Sequence, residues 1–122
     1  MIVYKVVKKN TNYSCMVGCS KYCTKYEKGS VMEDHNGMGF FCFKTLKAAK
    51  SFRINCLARS FSYKIKRIQP LSRGATPKEI CTSLSENWLD CFYRPGPKII
   101  YQPVYSTPPL GTICYKKIEV LD

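Results

Sequence analysis

Five prolines crowd residues 94–111: Pro95, Pro97, Pro103, Pro108 and Pro109. Each fixes φ and removes an amide donor, so this stretch is closed to a helix interior and to a central strand. It is expected to run as an ordered loop over the core, with at most an edge strand at residues 98–101. The regular structure must then come from the first ninety or so residues and from the run that follows Gly111.

Those residues read mainly as short strands. Residues 2–8 are β-branched and aromatic and predict the first. Polar and small residues from 10 to 18 predict a loop. Residues 22–26 predict a second strand, with Tyr22, Thr24 and Tyr26 on one face, closed by a turn at Lys28-Gly29. Residues 33–39 are acidic and glycine-rich and read as a loop, and residues 39–44 as a short buried strand.

Thr45 is placed to cap a helix in which Leu46, Ala49, Phe52 and Cys56 form an apolar stripe. Lys44, Lys47, Lys50 and Arg53 recur every third residue beside it. Residues 62–69 predict a further strand, ended by Pro70. Thr76-Pro77-Lys78-Glu79 carries a helix-start signature, and Ile80, Leu84 and Trp88 follow at spacing four, predicting a second helix within 77–92. A last strand is expected over 112–121.

This order predicts a single α+β domain over residues 1–122, with a mixed or mostly antiparallel sheet, two modest helices and the proline-rich covering loop. A chain of 122 residues fits one core. No apolar run approaches the roughly 18–20 residues of a membrane helix, so no membrane is expected among the partners. Tyr4, Lys5 and Lys8 interrupt the apolar start, which therefore does not read as a signal peptide. A cytoplasmic location is expected, with the eight cysteines as reduced thiols.

Charge is the most informative functional feature. The chain carries 20 Lys and Arg against 8 Asp and Glu, a net charge of +12. Between Asp34 and Glu79 stand ten basic residues and no acidic one. A surface of this kind concentrates phosphate-bearing partners. The alternative is a scattered, solvated set of lysines serving solubility.

Catalytic constellations are weak. His35 is the only histidine and lies in a polar loop, so Cys and Ser nucleophiles lack an evident base. Cys15, Cys19 and Cys23 are evenly spaced but lack the paired ligands of a structural zinc site. No phosphate-cradling glycine loop is present. The expectation is a protein without catalytic residues, metal or cofactor.

The leading reading is a non-enzymatic binding protein whose basic surface captures a phosphate-bearing ligand, an anionic small molecule such as a nucleotide or nucleotide-derived host signal. Lys44, Lys47, Arg53, Lys64 and Arg67 are the candidate phosphate partners, and Tyr26 and Tyr63 the candidate stacking faces. A nucleic acid or an acidic host protein bound by the same patch is the alternative, and a nucleotide-acting enzyme a further one. Self-association into a homo-oligomer stays open.

Three groups of residues carry a resemblance over most of the chain. They are Tyr26-Glu27-Lys28-Gly29; Gly39-Phe40-Phe41-Cys42-Phe43-Lys44-Thr45 with Ala48, Ala49 and Phe52; and Pro108-Pro109-Leu110-Gly111-Thr112-Ile113-Cys114-Tyr115 leading into Ile118-Glu119-Val120-Leu121. Together they resemble a group of short uncharacterised proteins encoded by phages and other viruses. The resemblance implies a viral accessory protein acting in the host cytoplasm, where such proteins often block a host factor or a nucleotide signal. Its motifs are structural and bring no catalytic residue with them.

Overall fold

A computed structural model describes residues 1–14, 24–34, 39–57, 59–77, 80–81 and 105–122. Its first strand, β1 (Val3–Lys8), is apolar on both faces because both are covered. Val3 and Val7 enter one cluster with Tyr26, Cys42, Ile68, Tyr115, Ile118 and Val120. Val6, on the opposite face, joins Phe43, Ala49 and Phe52 in a second.

The remaining elements of the main sheet are β2 (Val31–Glu33), β3 (Phe40–Phe43), the helix α1 (Leu46–Cys56), a 3-10 turn at Ser60–Ser62, β4 (Tyr63–Pro70), β5 (Gly74–Ala75), β8 (Thr112–Tyr115) and β9 (Lys117–Val120). A separate pair is formed by β6 (Ile80–Cys81) and β7 (Tyr105–Ser106). The main sheet has the order β2-β9-β4-β1-β3-β8-β5, and every pairing in it is antiparallel. The longest ladder joins β1 to β4, from Val3 opposite Ile68 to Lys8 opposite Tyr63.

β8 and β9 are one run of chain, interrupted only at Lys116. One half pairs with β3 and the other with β4, while β3 and β4 flank β1. The ladder that leaves β8 through β3, β1 and β4 therefore ends against β8's own continuation, and the sheet curls back on itself. The first core cluster, which draws on β1, β3, β4, β8 and β9, fills the inside of that curl. The helix covers the outside of β1, β3 and β4.

These elements correct the expected architecture. The described fold is strand-dominated, with one α-helix and a 3-10 turn, and is not a balanced α+β domain with two modest helices. Where a second helix was expected over 77–92, Ile80 and Cys81 are extended and face Ser106 and Tyr105. The physical reason is local: proline's fixed φ suits an extended segment as well as a first helical turn, and β-branched Ile80 favours the strand. Residues 82–92 and the possible edge strand at 98–101 lie outside the described residues, as does most of the proline-rich loop. Within the expected second strand at 22–26, the described part makes only a single bridge, between Lys25 and Tyr13. The expected final strand divides at Lys116. No helix among the described residues is long and apolar enough to cross a membrane.

Candidate anion-binding face

Thr45 has extended backbone angles (φ −129°, ψ 154°), and its hydroxyl accepts a hydrogen bond from the Ala48 amide at 3.1 Å. This N-cap starts α1 where the sequence predicts it. Packing then fixes the rotation of the helix. Ala49 and Phe52 are buried, and the Phe52 ring lies 5.1 Å from that of Phe43. With 3.6 residues per turn, Lys47, Lys50, Ser51 and Ile54 must face outward. Lys44, Lys47 and Lys50 are all exposed. None of the three forms an ion pair with a described residue. Leu46, Lys47, Lys50, Ser51, Ile54 and Asn55 line a shallow, open depression.

The first turn of α1 holds no acidic residue, although the field of a helix N-terminus favours one. Lys44 and Lys47 oppose that field. An anion bound beside them is attracted by both lysines and by the helix terminus.

The other residues singled out from the sequence divide among different environments. Arg53 is half-buried, and its Nη1 donates to the Tyr63 carbonyl at 3.4 Å, which turns the side chain toward β4. Its Nε is buried without a hydrogen-bond partner. Tyr63 packs half-buried against the cluster beneath α1. Lys64 lies opposite Val7, on the inner face of the curl. Tyr26 is only 2% exposed and sits in the inner core, edge-on to Phe40 at 6.2 Å between ring centroids. Burial raises its pKa, and the Lys5 amine, 5.1 Å from the ring centroid, opposes that rise. A ring so enclosed offers no stacking face.

Arg67 is exposed but engaged. Its guanidinium and backbone amide converge on the Asp122 carboxylate, which holds that carboxyl below its ordinary range and the guanidinium above its own. Lys66, not among the candidates, is 5% exposed, and its amine donates to the main-chain oxygen of Asp122 at 2.8 Å. Burial, and then the neighbouring charge of Lys64, lower its pKa. The usable signal was alternation along β4, which puts Lys64 and Lys66 on the same face as the core residue Ile68.

Of the residues singled out on and around α1 and β4, Lys44 and Lys47, with Lys50 beside them, remain exposed and unpaired among the described residues. Among the described residues, no three His, Cys, Asp or Glu side chains gather as a metal site. His35, Cys15, Cys19 and Cys23 lie outside the described residues. The chain matches no protein-family model, no curated protein and no solved structure.

Proposed function

We propose that this is a non-enzymatic binding protein that holds an extended phosphate-bearing polymer, a single-stranded nucleic acid, along the outer face of α1. The observation that carries this reading is the row of exposed, unpaired lysines formed by Lys44 just before the N-cap and Lys47 and Lys50 on α1, whose first turn has no acid. A lone nucleotide asks for more: a concave site, converging donors and an aromatic wall. Tyr26 is enclosed and Tyr63 lies against the helix, so neither supplies that wall. A shallow, open basic row suits a chain of phosphates better. In the viral accessory role that the resemblance implies, the polymer would belong to the host or to the virus itself.

The test is fluorescence anisotropy of a labelled single-stranded oligonucleotide between 25 and 300 mM salt. Each phosphate contact on a single strand adds about 0.7 to the slope of log affinity against log salt. Replacing Lys44, Lys47 and Lys50 together by Gln should flatten the slope by about 2 and weaken binding about a hundredfold at 100 mM salt. Binding by the triple variant with an unchanged slope would refute the reading. So would calorimetry showing a mononucleotide bound more tightly than the oligonucleotide.

A further inference from the structure

Arg67 offers a second set of anion donors, its guanidinium and backbone amide, and Asp122 fills it. The Asp122 carboxylate receives the Arg67 amide at 2.8 Å, Nη2 at 2.9 Å and Nε at 3.1 and 3.2 Å. The Lys66 amine reaches the main-chain oxygen of the same residue at 2.8 Å. A guanidinium fork joined by a backbone amide is the arrangement with which proteins grip phosphate. We infer that Asp122 is a built-in competitor which occupies a phosphate seat on Arg67 and yields it to a phosphate group of the bound polymer.

Position supports this. Tyr63, Ile65 and Arg67 alternate along one face of β4, and Tyr63 and Ile65 lie in the cluster that α1 covers. At about 3.4 Å of rise per residue, Arg67 stands about 7 Å beyond Ile65, at the margin of the helix and on its side of the sheet. A polymer lying on Lys44, Lys47 and Lys50 has this seat on the same side of the molecule. Exposure supports it too. The side chains of Arg67 and Asp122 are 59% and 38% exposed. An exposed ion pair contributes little to stability, so exchange for a more highly charged anion costs little.

The inference rests on the polymer-binding reading, and its test separates the two. Asp122→Asn empties the seat of its charge while keeping an oxygen for the Arg67 amide. Glu33→Gln, on β2, makes the same change in net charge away from Arg67. Wild type must displace its own carboxylate to gain the Arg67–phosphate contact, whereas Asp122→Asn gains it in full, so the salt slope should steepen by up to about 0.7 and oligonucleotide binding should tighten by up to about eightfold at 50 mM salt. Glu33→Gln should change binding less than twofold at an unchanged slope, and Arg67→Gln added to Asp122→Asn should cancel the gain. Equal behaviour of Asp122→Asn and Glu33→Gln overturns the inference.

The second arm uses inorganic phosphate alone, followed through the Arg67 Nε–H and backbone amide resonances. Saturable shifts in Asp122→Asn at concentrations that leave the wild-type signals unmoved support the seat. They would do so even if the wild-type protein bound no oligonucleotide, an outcome that defeats only the polymer reading. Arg67 signals in Asp122→Asn that ignore phosphate overturn the inference.

Discussion

Gly39→Ala should be among the most damaging single-methyl additions in this fold, and its cost can be separated into two parts. Gly39 has φ +94°, a region that side-chain-bearing residues enter at a cost of roughly 1–3 kcal/mol. A Cβ there would also stand 2.5 Å from the Tyr115 carbonyl oxygen, 2.7 Å from its carbon and 3.0 Å from the Lys116 amide nitrogen. These are backbone atoms with little room to move, because Tyr115 is paired with Phe40 on one side and Gly74 on the other. Overpacking adds about 1–3 kcal/mol, for a total near 4 kcal/mol. Gly29 is the control: its φ is +83°, yet a Cβ there would meet nothing within 4 Å, which leaves only the backbone cost of about 2 kcal/mol. For 122 residues the unfolding entropy is about 0.26 kcal/mol per degree, so 1 kcal/mol shifts Tm by about 4 °C. Calorimetry should find Gly39→Ala lowered by about 16 °C and Gly29→Ala by about 8 °C. If the two fall together within 3 °C, Gly39 does not closely approach the bend at Lys116.

Thr45→Ala removes the cap on the Ala48 amide and should cost about 1 kcal/mol, read as a lower urea midpoint at an unchanged slope. Burial raises the Cys42 and Cys114 thiols to about 11 and about 12. Iodoacetamide at pH 8 should therefore label exposed Cys56 in the native protein and reach Cys42 and Cys114 only after unfolding; peptide mapping that finds Cys42 labelled first would contradict that burial. The depressed Asp122 carboxyl stabilises the fold above its unfolded pKa, and that contribution is lost as pH falls through the lower folded value. The wild-type advantage over Asp122→Asn, under about 1 kcal/mol for so exposed a pair, should hold from pH 7 to 5 and shrink below about pH 4. Urea midpoints at pH 7, 5 and 3 check it, and an advantage that is undiminished at pH 3 counts against the ion pair.

What was legible in the sequence was local. The Thr45 cap sits within one helix and needs no distant partner, so α1 begins as it predicts, but of the expected stripe only Ala49 and Phe52 are buried, while its ends Leu46 and Cys56 are exposed. The strand that ends at Pro70 is bounded by its own residues too. Closure was not legible, because it depends on a break at Lys116 that sends two halves of one strand to opposite sides of β1, and no nearby residue specifies those partners. The same blindness misplaced Tyr26. Alternation assigns a side chain to a face but does not say whether that face is covered, and in the curled sheet Tyr26 fills the inside. The Thr76-Pro77 signature failed differently, since a proline start suits a strand as readily as a helix.

The net charge of +12 is therefore a poor measure of the field a partner meets. Lys66 is spent inside the fold, the Lys5 amine is held 2.6 Å from the Phe41 carbonyl, and Arg67 is screened by Asp122. On the candidate face, what survives is decided by the phase of one helix. Ala49 must face inward because it is wholly buried against the outside of the sheet, and only a small side chain meets Val6, Phe43 and Phe52 there. Once Ala49 and Phe52 are fixed, a three-residue lysine repeat has nowhere to go but outward. The basic row is thus held by the core rather than by any interaction of its own. Its lysines can be exchanged without disturbing the fold, whereas enlarging Ala49 would displace the helix and the row together.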